Sequence, residues 1–321
     1  MPFIDARTQM GFKLEDTPYT AETLTYANYD FRIKNISCTP ELEEAVMKYA
    51  TQGYGAFRSL IGKKLCTISG TIDLNAHGTA TSDPEWSDLI RSCGFTKSTL
   101  GAGVAWDMDA DASGTPATIE LQYVSHDGGD AVVVKLAGCM GNISRIGFEN
   151  VGNCISADIE WQGILKSVTD RAEPFIAQGW DDTDPSPVTA ATVETHSEAQ
   201  DVNSLAVNIG NQVSVYTDPA KIEGARGAYV VNADPTVTLD PYLDKISERG
   251  DFARWSAGTT GSFLVEAGSG ASKISLIANS FQITGAYGKG ERDGLSTNAK
   301  TGRLLGEGTD HVFRICQGTN S

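Results

Sequence analysis

The stretch Lys64–Phe95 constrains this chain more than any other, because it sets a strand pattern beside a helix pattern with a sharp boundary between them. From Leu65 to Leu74, the apolar residues Cys66, Ile68, Ile72 and Leu74 alternate with Thr67, Ser69, Thr71 and Asp73, the period of a half-buried strand. After a turn at Gly78, Asp83 is placed to cap a short helix that Pro84 opens and Gly94 closes. Within it, Trp86, Leu89, Ile90 and Cys93 recur at three- and four-residue steps. Such a stripe must lie on something, and the apolar face of the strand is the nearest candidate.

The chain has 321 residues, which suits one large domain or two of about 150 residues each. With 34 glycines and few helical patterns, it reads as mainly β with many turns. Four segments are expected: an N-terminal arm over 1–28, a first β domain over 29–166, a linker over 167–202 and a second β domain over 203–321. The arm lacks periodicity but carries Phe3, Phe12 and other apolar residues, too many for a disordered tail, so docking on a neighbour is expected of it. Tyr29–Ile36 alternates as a strand. Thr39–Ala50, with an N-cap, Pro40 in the first turn, early acids and the stripe Leu42, Ala45, Val46 and Tyr49, predicts the best helix of the chain. Strands over Thr118–Ser125 and Ala131–Ala137 are joined by a turn at His126–Gly129. Gly138–Asn153 reads as a glycine-rich loop, and Cys154–Leu165 as a further strand.

The second domain replays this order. Leu205–Ile209 stands for the opening strand, Tyr229–Asp240 for the organising strand, and Phe252–Gly258 for the tryptophan helix. Ser262–Ala267 and Lys273–Ala278 stand for the hairpin, and Gly302–Leu305 for the closing strand. Gly101–Ser113 has no counterpart and reads as an insertion in the first copy. A tandem duplication, each copy with one short flanking helix, is favoured over two unrelated β domains of similar order. Trp86 and Trp255 are the expected core anchors of the two copies.

The formal charge is −16, from 25 Lys plus Arg against 41 Asp plus Glu. A chain this acidic repels nucleic acid, because duplex binding depends on cations that displace counterions. Six scattered cysteines (Cys38, Cys66, Cys93, Cys139, Cys154 and Cys316) have no metal-ligand spacing, so buried free thiols are expected. Met1–Arg7 lacks the apolar core of a signal peptide, and no run approaches membrane-spanning length, which reads as a soluble, non-exported chain. No histidine lies in a nucleophile motif, and neither a phosphate-binding nor a dinucleotide-binding glycine loop is present. No enzymatic activity and no cofactor are expected. The alternating carboxylates Asp107, Asp109 and Asp111 suggest a cation loop, but an EF-hand would need glycine at Ala112 and glutamate at Thr118, so a solvated acidic loop is preferred.

Ile68–Leu74, the run Gly78–Phe95, Ala137–Asn142 and Leu205–Val213 together resemble the tail tube proteins of long-tailed bacteriophages. The resemblance covers roughly residues 30–315 and is most specific over Pro84–Phe95. It implies β-sandwich or barrel domains whose inner sheets join across subunits into a ring around a DNA channel, with duplicated members forming trimers that imitate six-fold symmetry. The implied function is that of a virion subunit, made in the host cytoplasm, whose stacked rings pass double-stranded DNA without binding it specifically. The implied partners are further copies of the chain, a tape measure protein in the lumen, and terminator and baseplate proteins at the ends. On this reading Thr71, Asp73, Thr238 and Asp240 face the channel. The arm, through Phe3 and Phe12, and the insertion, through Trp106 and Asp109, make ring-to-ring contacts. A terminator or baseplate ring component, or a non-catalytic β-sandwich binding module, remain the alternatives.

Overall fold

A computed structural model describes residues 3–46, 59–108, 114–175, 184–189, 191–245, 249–306 and 311–318. The protein is mainly β, with two short α-helices among these residues. In the first half, β1 (Phe3–Leu14), β2 (Lys34–Val46) and β3 (Ser59–Asp73) lead to α1 (Ser87–Arg91). There follow β4 (Thr96–Leu100), β5 (Gly103–Met108), β6 (Ala117–Ser125), β7 (Ala131–Phe148) and β8 (Ser156–Arg171). The second half has β9 (Thr192–Thr195), β10 (Glu198–Ala199), β11 (Val202–Asn208), β12 (Asn211–Thr217), β13 (Ala225–Ala233) and β14 (Thr236–Pro241) before α2 (Asp251–Ala257). The chain ends in β15 (Thr260–Ala267), β16 (Ile274–Arg292), β17 (Leu295–Leu304) and β18 (Phe313–Gly318).

The alternation read in the organising strand is the alternation of its burial. Cys66, Ile68 and Ile72 are buried while Thr67, Ser69, Thr71 and Asp73 are half-exposed on the opposite face. α1 is little more than one turn, and Gly94 leaves it at φ 92°, a conformation that glycine adopts at low cost. Its stripe of Trp86, Leu89, Ile90 and Cys93 is wholly buried, and Trp86 donates from Nε1 to the Asn75 carbonyl at 2.6 Å.

Four expectations are corrected. Thr39–Val46 is not helical: it continues β2, paired residue by residue with β3 from Lys34↔Thr71 to Val46↔Ser59. Local capping signals lose here to a long ladder, and Pro40 is tolerated because β2 is an edge strand with no partner on its outer side among the described residues. The remainder of that expected helix, 47–50, lies outside the described residues. Gly138–Phe148 is not a loop but the second half of β7, which bends where Gly138 takes φ 60°. The supposed arm is built into the fold: β1 pairs with β6, burying Met10 and Phe12, while Leu24 and Tyr29 are buried further along. Within 167–202, β8 runs on to Arg171 and β9 and β10 form further strands, so that segment is not wholly a linker.

Strand order is the same in the two halves. The first reads β1-β6-β7-β8-β3-β2 and the second β9-β15-β16-β17-β14-β11, each with its helix between the organising strand and the following hairpin. The β4–β5 hairpin occurs in the first half only; β5 pairs with β18 and so ties the insertion to the second half. β12 and β13 extend the second-half hairpin as a separate two-stranded ribbon that lies over β7 and β8.

Candidate assembly surface

Eight neighbouring strands, in the order β2-β3-β8-β7-β11-β14-β17-β16, cross the boundary between the halves as one antiparallel sheet. One row of directly paired residues runs Asp73, Ser156, Gly147, Ala206, Thr238 and Thr301. A second row joins Thr71, Asp158 and Arg145, and a third Ser37, Ser69, Glu160 and Asn142. Residues directly opposite one another share a face, so this side of the sheet is lined by hydroxyls, amides and carboxylates. Thr71, Asp73, Thr238 and Asp240 are all half-exposed or exposed on strands of this sheet.

Three carboxylates of the sheet are paired in place. Asp73 is ion-paired with Lys34. Asp158 accepts from Arg145 Nε at 2.8 Å and from Thr71 Oγ1 at 2.7 Å. Asp240 accepts from the Ser204 backbone N–H at 2.9 Å and from Arg292 at 3.1 Å. Three carboxylates of the face are therefore paired, while Glu160 in the third row is exposed. A shallow cavity of about 280 Å³ opens on it between Lys34, Asp73, Arg145, Glu149, Cys154 and Ser156.

The junction between the halves is made by β11 on the end of β7, with Leu205↔Phe148, Ala206↔Gly147 and Val207↔Ile146. Beyond the ladder, Ile209 donates to the Ile143 carbonyl at 3.1 Å and the Asn211 backbone to Asn142 Oδ1 at 2.8 Å. Asn211 Nδ2 also reaches the Cys93 carbonyl at 2.7 Å, tying the junction to the end of α1. Gly147 has to be glycine, since an added Cβ would stand 1.9 Å from the Leu205 carbonyl oxygen.

The matching edges at the two ends of this sheet carry no further strand among the described residues. β2 occupies in the first half the place of β11, and its outer side has no partner among the described residues. β16 occupies the place of β7; β15 covers it only as far as Gln282, and no described strand lies on that side of Thr284–Arg292. Apolar side chains gather at both. Leu42, Leu60 and Ile61 are exposed on the β2–β3 hairpin, and Phe252 and Trp255 are exposed on α2 beside Tyr287.

Several sequence-based assignments are corrected. Trp86 is a core anchor, but Trp255 is 39 % exposed, lying on the β16 edge where its Nε1 donates to the Thr284 carbonyl at 3.0 Å. Phe12 and Trp106 cannot reach a neighbouring ring: Phe12 packs on Trp161 at 5.9 Å, and Trp106 is fully buried against Trp86 at 4.5 Å. Phe3 is paired through its backbone with Ser125, while Asp109 lies outside the described residues. Asp107 does not sit in a solvated loop but is buried in β5 between Arg314 and Ser98, and Asp111 is outside the described residues.

Several of the carboxylates and lysines with displaced pKa values are structural. Glu120 is pushed up by burial, but Arg171 at 2.7 Å, Lys135 at 3.0 Å and Tyr29 at 2.9 Å more than offset this and hold it below the usual carboxylate range. Glu15 is raised by burial despite accepting from Gly138, Thr118 and Tyr19. Lys300, beneath α2, is lowered by burial and ion-paired with Asp251. Among the described residues, no group of three His, Cys, Asp or Glu is arranged to hold a metal ion, and no helix is long and apolar enough to cross a membrane. In comparisons with known proteins, the chain matches no family model and no curated protein.

Sequence reasoning missed the open β16 edge, because the expected strand ends at Ala278 and the residues up to Gly302 carry no expected element, whereas β16 runs on to Arg292. The signal that would have found it is the apolar and aromatic content of Phe281–Tyr287.

Proposed function

We propose that this chain is a self-assembling structural subunit that joins head to tail into closed rings, and that those rings stack as the tail tube of a long-tailed bacteriophage. The observation that carries the reading is the junction of β11 on β7, together with the two unpaired edges that repeat its halves. β2 of one copy docks along Thr284–Arg292 of the next as β11 docks along the end of β7, and the exposed Leu42 and Ile61 meet the Phe252–Trp255 patch. A junction of this kind is heterologous, so it closes into a ring when the rotation between halves divides a full turn. Closure also removes the sheet edges that otherwise promote uncontrolled pairing.

A tandem duplication supplies the two similar halves, and a trimer of chains then presents six similar units. The continuous polar face, with Thr71, Asp73, Thr238 and Asp240, lines the channel. Its paired carboxylates leave few free cations for phosphates to grip, which suits transient passage of double-stranded DNA. The further partners are the tape measure protein in the lumen and terminator and baseplate proteins at the ends of the tube, and the finished location is the virion.

Negative-stain electron microscopy at rising protein concentration, with native mass determination, tests the proposal. Rings or tubes with a central hole and masses in multiples of three chains are expected. A chain that stays monomeric at every concentration, and also fails to join preformed tubes, overturns it.

A further inference from the structure

Cys38 and Cys66 stand on neighbouring strands at the free margin of the polar sheet. In the β2–β3 register, Cys38 lies opposite Ile68 and Cys66 opposite Pro40, so the two are diagonal neighbours. Their sulfurs are 3.3 Å apart. A disulfide holds its sulfurs at about 2.05 Å with Cα atoms up to about 6.8 Å apart, and a diagonal cross-strand pair ordinarily stands at about 7–8 Å. With the sulfurs already in contact, closing the bond requires side-chain rotation together with a small inward shift of the edge strand β2.

The pair also differs chemically from the other thiols. Cys93 and Cys139 are fully enclosed, and burial pushes both upward, Cys93 to about 12. Cys316 is likewise buried and raised to about 12. Cys38 is half-buried, and the hydrogen bond from Cys66 holds its thiol below the ordinary range, while Cys66 is raised by that same bond and by burial. Cys38 is thus the accessible thiolate and Cys66 the resolving thiol behind it.

We propose that Cys38 and Cys66 form an oxidisable dithiol site that a peroxide converts into a disulfide clip across the β2–β3 edge. The Cys38 thiolate attacks one peroxide oxygen; the O–O bond breaks, and the departing hydroxide takes a proton to become water. The resulting Cys38 sulfenic acid is attacked by the Cys66 sulfur: the S–S bond forms, the S–O bond breaks, and the oxygen leaves as a second water carrying the Cys66 proton. Two thiols lose two electrons in total, and one peroxide becomes two waters. The clip adds a covalent tie beside the Ser37–Ser69 contact at 2.8 Å and the Lys34–Asp73 pair, fixing the strand that would otherwise fray first. This proposal does not depend on ring assembly, because both cysteines belong to one chain.

The test treats the purified full chain with limiting hydrogen peroxide under native conditions, blocks the remaining thiols with iodoacetamide and maps the peptides. The expected result is loss of two alkylatable thiols out of six, a cross-linked peptide joining Cys38 to Cys66, and reversal by dithiothreitol. Cys38→Ser should abolish the cross-link, and Cys66→Ser should leave a sulfenic acid at Cys38 that dimedone traps. Should Cys66→Ser not fold, the wild-type peptide map decides alone. Alkylation of both Cys38 and Cys66 after peroxide treatment, or a cross-link confined to other cysteines, overturns the proposal.

Discussion

The two tryptophan helices occupy the same place in the strand order and meet opposite fates. Trp86 on α1 is 1 % exposed, roofed by Trp106 from the β4–β5 hairpin and bonded to the Asn75 carbonyl. Trp255 on α2 has no such roof, is 39 % exposed, and rests on an unpaired stretch of β16. The first half spends its tryptophan on its own core, whereas the second presents one at a margin. The difference lies not in the helices, which read alike in sequence, but in a hairpin present only once and in the ribbon β12–β13, which covers the first half and leaves the second uncovered. A surface aromatic beside an open sheet edge is the feature on which the proposed ring contact rests.

The contrast breaks first at the two tryptophans. Trp86→Ala should leave a large cavity and lower the unfolding free energy by about 3–5 kcal/mol in urea denaturation. A loss under 1 kcal/mol would mean that the first core is not closed as described.

Next comes the charge buried in each half. Glu120 is 3 % exposed among Arg171, Lys135 and Tyr29, so Glu120→Gln should cost about 3 kcal/mol at neutral pH by leaving the half-buried Arg171 and Lys135 without their carboxylate. Because its carboxyl is held below its ordinary value of 4.5, its contribution is present above that pH and is lost as the pH falls through the lower folded value. Glu198 of the second half is also lowered, chiefly by its bond to Arg254, but sits nearer solvent; Glu198→Gln should cost under about 1 kcal/mol. Stability measured from pH 7 to pH 3 should therefore lose more of its acid dependence in the Glu120 variant than in the Glu198 variant.

At the boundary itself, Gly147→Ala forces a methyl group against the Leu205 carbonyl and should cost about 2–3 kcal/mol. Amide exchange should then quicken at Leu205–Val207 before it does in β3. The smallest effect on folding is expected at the open end. Trp255→Ala should change the unfolding free energy by less than about 1 kcal/mol while abolishing ring formation in the electron microscope. Normal rings from this variant would show that the patch is not the contact.

Much of the first half was legible because its signals are local. The alternation of Cys66, Ile68, Ile72 and Leu74 and the stripe of Trp86, Leu89, Ile90 and Cys93 each specify an element and the face it buries. The hairpin turn at His126–Gly129 and the halt at Gly258, with φ 65°, were readable for the same reason. Thr39–Val46 was misread because caps and early acids favour a helix by small increments, while pairing with β3 adds a ladder that no local window contains. Trp106, Phe12 and Trp255 were misassigned because an aromatic residue announces burial or contact without saying which.

By itself, the sequence determined the mainly β class of the fold, the turn at His126–Gly129 and the polar face of the organising strand, since each follows from residue type at short spacing. Only the tertiary structure decided which strand lies beside which, that β11 joins the halves by docking on β7, and that β2 and Thr284–Arg292 have no strand on their outer sides among the described residues. Those outcomes depend on residues brought together from distant parts of the chain, where hydrogen-bond partners and covering side chains are selected by the competition of whole strands for the same edge.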